Sequence, residues 1–266
     1  MDRRFNCTAC GKCCFGWLPL TLKDALSHAA RFPLALVWTP VPQGTRAFAL
    51  TARLGTTIRL RNRKQIAALI TPTAYIPPSF PCPELNAEGL CGIHANKPLR
   101  CRTMPFYPYR EEQDQADLLV PRKGWACDTS VAAPLVYHNK DIVERADFDR
   151  ERRELLEQAP TMRAYADYVL KYMPWIIDSL GAIAQQPGGN VITSLSSFLT
   201  AIRQFNAASL AAQQLPVLKD YAARTSGAPE LLEYQRNYTG WAREMEYLAR
   251  PRNPQDSAQT PGSPLK

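Results

Sequence analysis

No run of the sequence is apolar enough to cross a bilayer, since the longest uncharged apolar stretches reach about ten residues where a helical span needs roughly 18. Behind Met1–Arg4, with its two arginines, the chain continues Phe5-Asn6-Cys7 rather than into an apolar segment. A secretory leader is therefore not read, and a cytoplasmic location with no membrane partner is expected. Internal repeats are missing, as are a His-Glu-x-x-His pair, a nucleophile with a neighbouring histidine and an S-adenosylmethionine signature. Hydrolytic chemistry thus has no support. Pro187-Gly188-Gly189-Asn190 lies between helical stretches and lacks the strand, glycine loop and helix of a nucleotide site. The last 139 residues hold no cysteine. Neither disorder nor dependence on disulfides is implied: 266 residues, 45% hydrophobic and 21% charged, suffice for a globular core.

What is present is unevenly placed. Residues 1–127 hold 17 Lys or Arg against 8 Asp or Glu, a net +9, while the remainder holds 15 against 16. All eight cysteines, at 7, 10, 13, 14, 82, 91, 101 and 127, share the basic half. Gathered thiolates carry negative charge that neighbouring cations offset. A nucleic-acid surface is the other reading of a basic patch, but no helix-turn-helix, RNP or zinc-finger helix pattern accompanies it, so a nucleic-acid partner is not expected.

Hydrophobic periodicity predicts an α+β chain in which an irregular cysteine-rich module with a small β-hairpin or sheet precedes an α-helical half. Thr21 is placed to N-cap a helix reaching about Phe32, with Asp24 near the capping-box position. Residues 46–60 alternate around Gly55 and predict a hairpin; 61–70 extends its second strand or forms a short helix. Proline-rich 71–105 reads as irregular backbone carrying Cys82, Cys91 and Cys101, and Leu118–Val120 as a further short strand. Helical stripes cover 141–158, 161–172, 175–186, 192–205, 208–224 and 229–249, with Pro216 expected to kink or split its helix. The divisions are a metal-binding module over 1–127, a helical region over 128–249 and a disordered tail over 250–266.

Cys7-Thr8-Ala9-Cys10-Gly11-Lys12-Cys13-Cys14 carries the chemistry. Two-residue spacing lets thiolates on a tight turn converge on one ion, and glycine after the second relaxes that turn. Adjacent Cys13 and Cys14 are expected to project in different directions, feeding two centres or dividing their roles; eight thiols suffice for two four-ligand sites. Four disulfides are the alternative, disfavoured in a reducing compartment by a chain with a core of its own. A ferredoxin is not encoded, because Trp17 and Leu18 stand where its fourth cysteine and proline would fall. The C-x3-C-x2-C triplet of radical enzymes occurs only in reverse order. Spacing alone leaves zinc and iron–sulfur level.

Phe80-Pro81-Cys82-Pro83-Glu84-Leu85, Gly89-Leu90-Cys91-Gly92-Ile93-His94 and Lys97-Pro98-Leu99-Arg100-Cys101-Arg102-Thr103-Met104-Pro105-Phe106, joined to the first cysteine run, resemble the YkgJ-like cysteine-cluster (CxxCxxCC, zinc- or iron-chelating) family, which includes the flagellin lysine N-methylase. The resemblance covers about residues 5–127. It implies that Cys7, Cys10, Cys13, Cys14, Cys82, Cys91, Cys101 and Cys127 form the metal set, although Trp125-Ala126-Cys127-Asp128 lacks the Cys-Pro-Gly form of the methylase branch. It also tips the cofactor from zinc towards an iron–sulfur cluster of the 4Fe-4S kind. His94 reads as packing beside the site, His28 and His138 as surface residues, and Arg100 and Arg102 as donors to cluster sulfur or a solvated pair. Two classes of function stand side by side: a metal or iron–sulfur protein for storage, sensing, electron transfer or support of a partner, and an enzyme, a protein methylase or oxidoreductase using the centre. A third has structural zinc and a helical half that binds a partner protein.

Overall fold

The computed structural model describes residues 2–185 and 188–250. Its elements are β1 (Arg3–Arg4), β2 (Leu18–Pro19), α1 (Leu22–Ser27), β3 (Leu34–Pro42), α2 (Phe48–Leu54), β4 (Thr56–Arg59), β5 (Gln65–Ala74), α3 (Leu99–Thr103), β6 (Leu135–His138), β7 (Asp141–Ile142), α4 (Ala146–Tyr172), α5 (Trp175–Ile183), β8 (Val191–Ser194), α6 (Leu195–Ala201), α7 (Ala207–Arg224) and α8 (Leu232–Ala249). The fold is α+β, with 45% of residues helical and 17% in strands, and its later part is mostly helical.

The long central pair β3 and β5 is antiparallel from Leu34 opposite Ala74 to Pro42 opposite Ile66. On the far edge of β5, β2 pairs at Ala74 and Thr73, and β4 pairs along Gln65–Ala68. On the far edge of β3, β8 covers Ala35–Trp38. Both central strands are buried along most of their length, which is why they read as apolar runs rather than as alternation. A second, three-stranded sheet has the order β1-β6-β7, and Phe106, Leu119, Tyr137, Ile142 and Phe148 form a small core with it.

The helices cover the larger sheet. Tyr165 of α4, Phe198 of α6, Leu218 of α7 and Tyr238 of α8 join Trp38, Ile70 and Tyr75 in one buried cluster. Polar groups at its centre are matched: the Trp38 indole donates to Thr193 Oγ1 at 3.0 Å, and the Tyr165 hydroxyl lies 2.8 Å from the same oxygen. Gln214, fully buried on α7, accepts from Leu34 N at 3.0 Å and donates to Phe32 O at 2.8 Å. The helical half and the start of β3 are thereby fastened through one amide.

Several expectations are corrected. Residues 48–54 are helical because Leu50, Thr51 and Leu54 bury one helix face; the hairpin lies one strand later, between β4 and β5. Gly55 starts it because a Cβ there would stand 2.1 Å from Ala68 O. Residues 71–74 belong to β5 and Cys101 to α3, so 71–105 is only partly irregular. Ala116–Leu119 is a 3₁₀ turn, not a strand. Val191–Ser194, including Ile192, is a strand, so that helical stripe begins at Leu195. The helix capped by Thr21 stops at Ser27, short of Phe32. Pro160 and Pro216 interrupt neither α4 nor α7: each is exposed and so is the residue four before it, leaving water to take the freed carbonyl. Of the tail expected over 250–266, all but Arg250 lies outside the described residues, as does Pro187.

Candidate metal centre

The first cysteine loop is shaped by its own backbone. Ala9 and Gly11 take positive φ of 55° and 70°, Ala9 N points at Cys7 Sγ at 3.4 Å, and Cys14 N donates to Gly11 O at 3.0 Å. Gly11 also lies against the loop that precedes Cys91: a Cβ there would be 3.1 Å from Gly89 O and 3.3 Å from Leu85 Cδ1.

Each end of the loop is stapled to a distant segment. At its start, Asn6 and Asp128 exchange backbone hydrogen bonds of 2.8 and 3.0 Å, and the Thr8 hydroxyl donates to Ala126 O at 2.9 Å; these place Cys127 beside Cys7 and Cys10. At its end, Cys82 N donates to Cys14 O at 2.7 Å, and Phe15 bridges Pro81. Leu85 bridges Cys91, with Gly92 N on Glu84 O at 2.7 Å, folding Cys91 back towards Cys82. Cys101 arrives on α3, whose first N–H, that of Leu99, donates to Asp24 Oδ2 at 2.8 Å. The reverse face of α3 packs on α4, where buried Arg100 faces buried Glu151 at 3.6 Å and also donates to Phe106 O.

All eight thiols are free; Cys7 and Cys13 are exposed and the other six partly buried. Their mutual electrostatics group them in two neighbourhoods that overlap at Cys13. Cys14 feels Cys82, Cys101 and Cys91, whereas Cys127 feels Cys10, Cys7 and Cys13. Cys13 belongs to both neighbourhoods, since it acts on Cys82 and Cys101 as well as on Cys127. The adjacent Cys14 thiol, ahead of burial, raises the Cys13 pKa, and Cys13 in turn holds Cys14 below the ordinary thiol value. Cys10 is lowered by backbone hydrogen bonds at Ala126 and Lys12. Burial raises Cys82 and Cys127 and pushes Cys101 up to about 12. As placed, no three Cys, His, Asp or Glu side chains among the described residues converge tightly enough to hold an ion. The donor chemistry suits a thiophilic metal or an iron–sulfur cluster, and closing either site draws together sulfurs that are already neighbours.

The remaining candidates fall outside the sulfur sets. His94 is exposed, and His138 lies on the surface against Asp2. His28 is not simply a surface residue: its Nδ1 is 2.8 Å from Asp24 O and its Nε2 is 3.3 Å from Asn96 O, joining α1 to the turn before α3. Arg102 directs Nε and Nη2 to the carbonyls of Lys97 and Ala95. Arg100 points to Glu151, Phe106 O and the Tyr107 ring, 5.2 Å from its guanidinium. These contacts go to carbonyl, carboxylate and ring, not to sulfur. Sequence reasoning missed Asp24 as the anchor of α3, since capping-box spacing pointed to its own helix. It missed Glu151 because nothing local marks a partner 51 positions away.

The arrangement is that of an α+β protein with a cysteine-rich region whose eight thiols are free. Residues 6–120 match the model of the CxxCxxCC family, "Putative zinc- or iron-chelating domain". No curated protein and no solved structure matches the chain. Among the described residues, no helix is long and apolar enough to cross a membrane.

Proposed function

We propose that the chain is an iron–sulfur protein in which Cys14, Cys82, Cys91 and Cys101 form one four-thiolate set and Cys7, Cys10, Cys13 and Cys127 the other. The observation that carries this reading is the division of the thiol neighbourhoods: Cys14 has Cys82, Cys91 and Cys101 around it, and Cys127 has Cys7, Cys10 and Cys13. Eight free thiols drawn from four chain segments by backbone staples, with no histidine among them, are the donor set of 4Fe-4S centres. A reducing compartment such as the cytoplasm keeps them free for metal. Such a centre supplies one-electron chemistry; the surrounding chain positions the sulfurs and, through Arg100 and Glu151, fixes the helix that carries Cys101. The role argued for is metal-centre support or electron transfer to a partner.

Anaerobic purification followed by an absorbance spectrum and metal and sulfide analysis of one sample tests it. A brown protein with a broad band near roughly 400 nm and about eight iron and eight sulfide per chain is expected. A colourless protein holding about two zinc ions would replace the clusters with structural zinc, and neither metal in folded protein would overturn the site itself.

A further inference from the structure

Beside the thiol sets, outside any sulfur contact, a cavity of about 420 Å³ opens between α1, the turn that leads into α3, and α4. Lys23, Arg31, Lys97, Arg102 and Arg150 line it against two carboxylates, Asp24 and Glu154, five cations to two anions. We propose that this cleft binds a small dianion bearing carboxylate or phosphate groups.

The existing pairs leave the cations available. Lys23 and Arg150 share Glu154 at long distances of 3.7 and 3.8 Å, and Glu154 is also engaged by Thr21 Oγ1 at 3.1 Å. Asp24 is occupied by Leu99 N, and burial moves its carboxyl towards the neutral form. Arg31 is fastened to Glu84 at 2.6 Å, which fixes its guanidinium at the rim. Arg102 spends Nε and Nη2 on the 95–97 turn, so its Nη1 edge is left over, and among the described residues Lys97 makes no ion pair. His28, whose ring ties α1 to Asn96, stiffens the wall. Guanidinium and ammonium groups converging on a cleft recognise carboxylate and phosphate. The volume is at the lower end of small-molecule sites, which selects a ligand of dicarboxylate or phosphate size over a macromolecule.

The cleft adjoins the segments that carry the thiols. Lys97 acts electrostatically on Cys13, Ile93 follows Cys91 by two residues, and Arg102 follows Cys101 directly. The binding site does not depend on the metal-centre reading.

Titration calorimetry of the full chain with succinate and, separately, inorganic phosphate, at low salt in a non-coordinating buffer, tests the site. One anion per chain is expected. Lys97→Gln and Arg150→Gln each weaken it about five- to tenfold, Glu154→Gln tightens it, and the distant Lys64→Gln leaves it unchanged, with circular dichroism confirming the fold of every variant. Binding of one probe and not the other supports the site and names its source. No saturable binding of either probe at tens of millimolar overturns the proposal, as does an equal loss in Lys64→Gln, which would show diffuse surface charge.

Discussion

Gly11, packed against Gly89 and Leu85, and Glu151, buried against Arg100, fail in different ways when changed. At Gly11 a methyl group meets both a left-handed φ and the Gly89 carbonyl, so Gly11→Ala should cost about 1–3 kcal/mol of local strain and weaken metal retention. Gly89 has a φ of 77° but nothing near its would-be Cβ, so Gly89→Ala should leave retention closer to wild type; metal per chain after a fixed chelator challenge compares them. Glu151 is fully buried and its carboxyl is raised first by burial, with Arg100 opposing. A raised carboxyl contributes stability that is full below its unfolded value, near 4.5, and is lost as pH rises through the folded value. Melting temperatures over pH 4 to 7 should therefore show a decline that Glu151→Gln removes. Glu151→Leu alone leaves Arg100 buried without its partner and should cost about 3–5 kcal/mol, whereas joining it to Arg100→Met recovers most of that. The cysteine spacing was legible because a tight turn needs only neighbours in sequence; the Arg100–Glu151 contact was not, because it exists only once α3 lies on α4.

At the scale of elements, Asp24 makes the link between α1 and the metal region specific. Its carboxylate accepts from the first N–H of the five-residue helix that carries Cys101, a helix too short to persist unaided. Asp24→Ala should cost about 1 kcal/mol, as the loss of a capping acceptor does, and should lower metal occupancy by loosening Cys101, while Asp24→Asn keeps an acceptor and most of the occupancy. Occupancy and melting temperature of the two variants check this; equal losses would mean that charge rather than capping is the function. Elements were readable where local signals agreed with packing, as for the Thr21 cap and for α7 and α8. They were misread where punctuation outweighed burial. Phe48 and Leu50 alternate like a strand, yet they pack as one turn of helix. Pro40, Pro42 and Pro72 sit in the central strands, and β3, whose first five residues are buried, carried no alternation to betray it.

Over the whole molecule the two sulfur sets are anchored unequally. Cys82 packs against the main core and Cys101 rides on α3, held by α1 and α4, so the set with Cys14 and Cys91 is tied to the larger sheet and its helices. The set of Cys7, Cys10, Cys13 and Cys127 hangs on the Asn6–Asp128 bridge and the Thr8 bond, next to the small sheet, and two of its four thiols are exposed. Metal binding contributes to folding where it closes segments that otherwise hold weakly, and metal should leave first where thiols are open to solvent. Under a chelator, about half of the bound metal should therefore leave in a fast phase with little change in melting temperature. The other half should leave slowly, with loss of stability. Cys127→Ser should remove the fast phase and keep the slow one; Cys101→Ser should do the reverse and lower the melting temperature as well. Because Cys13 touches both sets, Cys13→Ser should disturb both phases. If Cys127→Ser and Cys101→Ser each abolished all metal binding in folded protein, the eight thiols would form one centre and the division into two sets would be wrong.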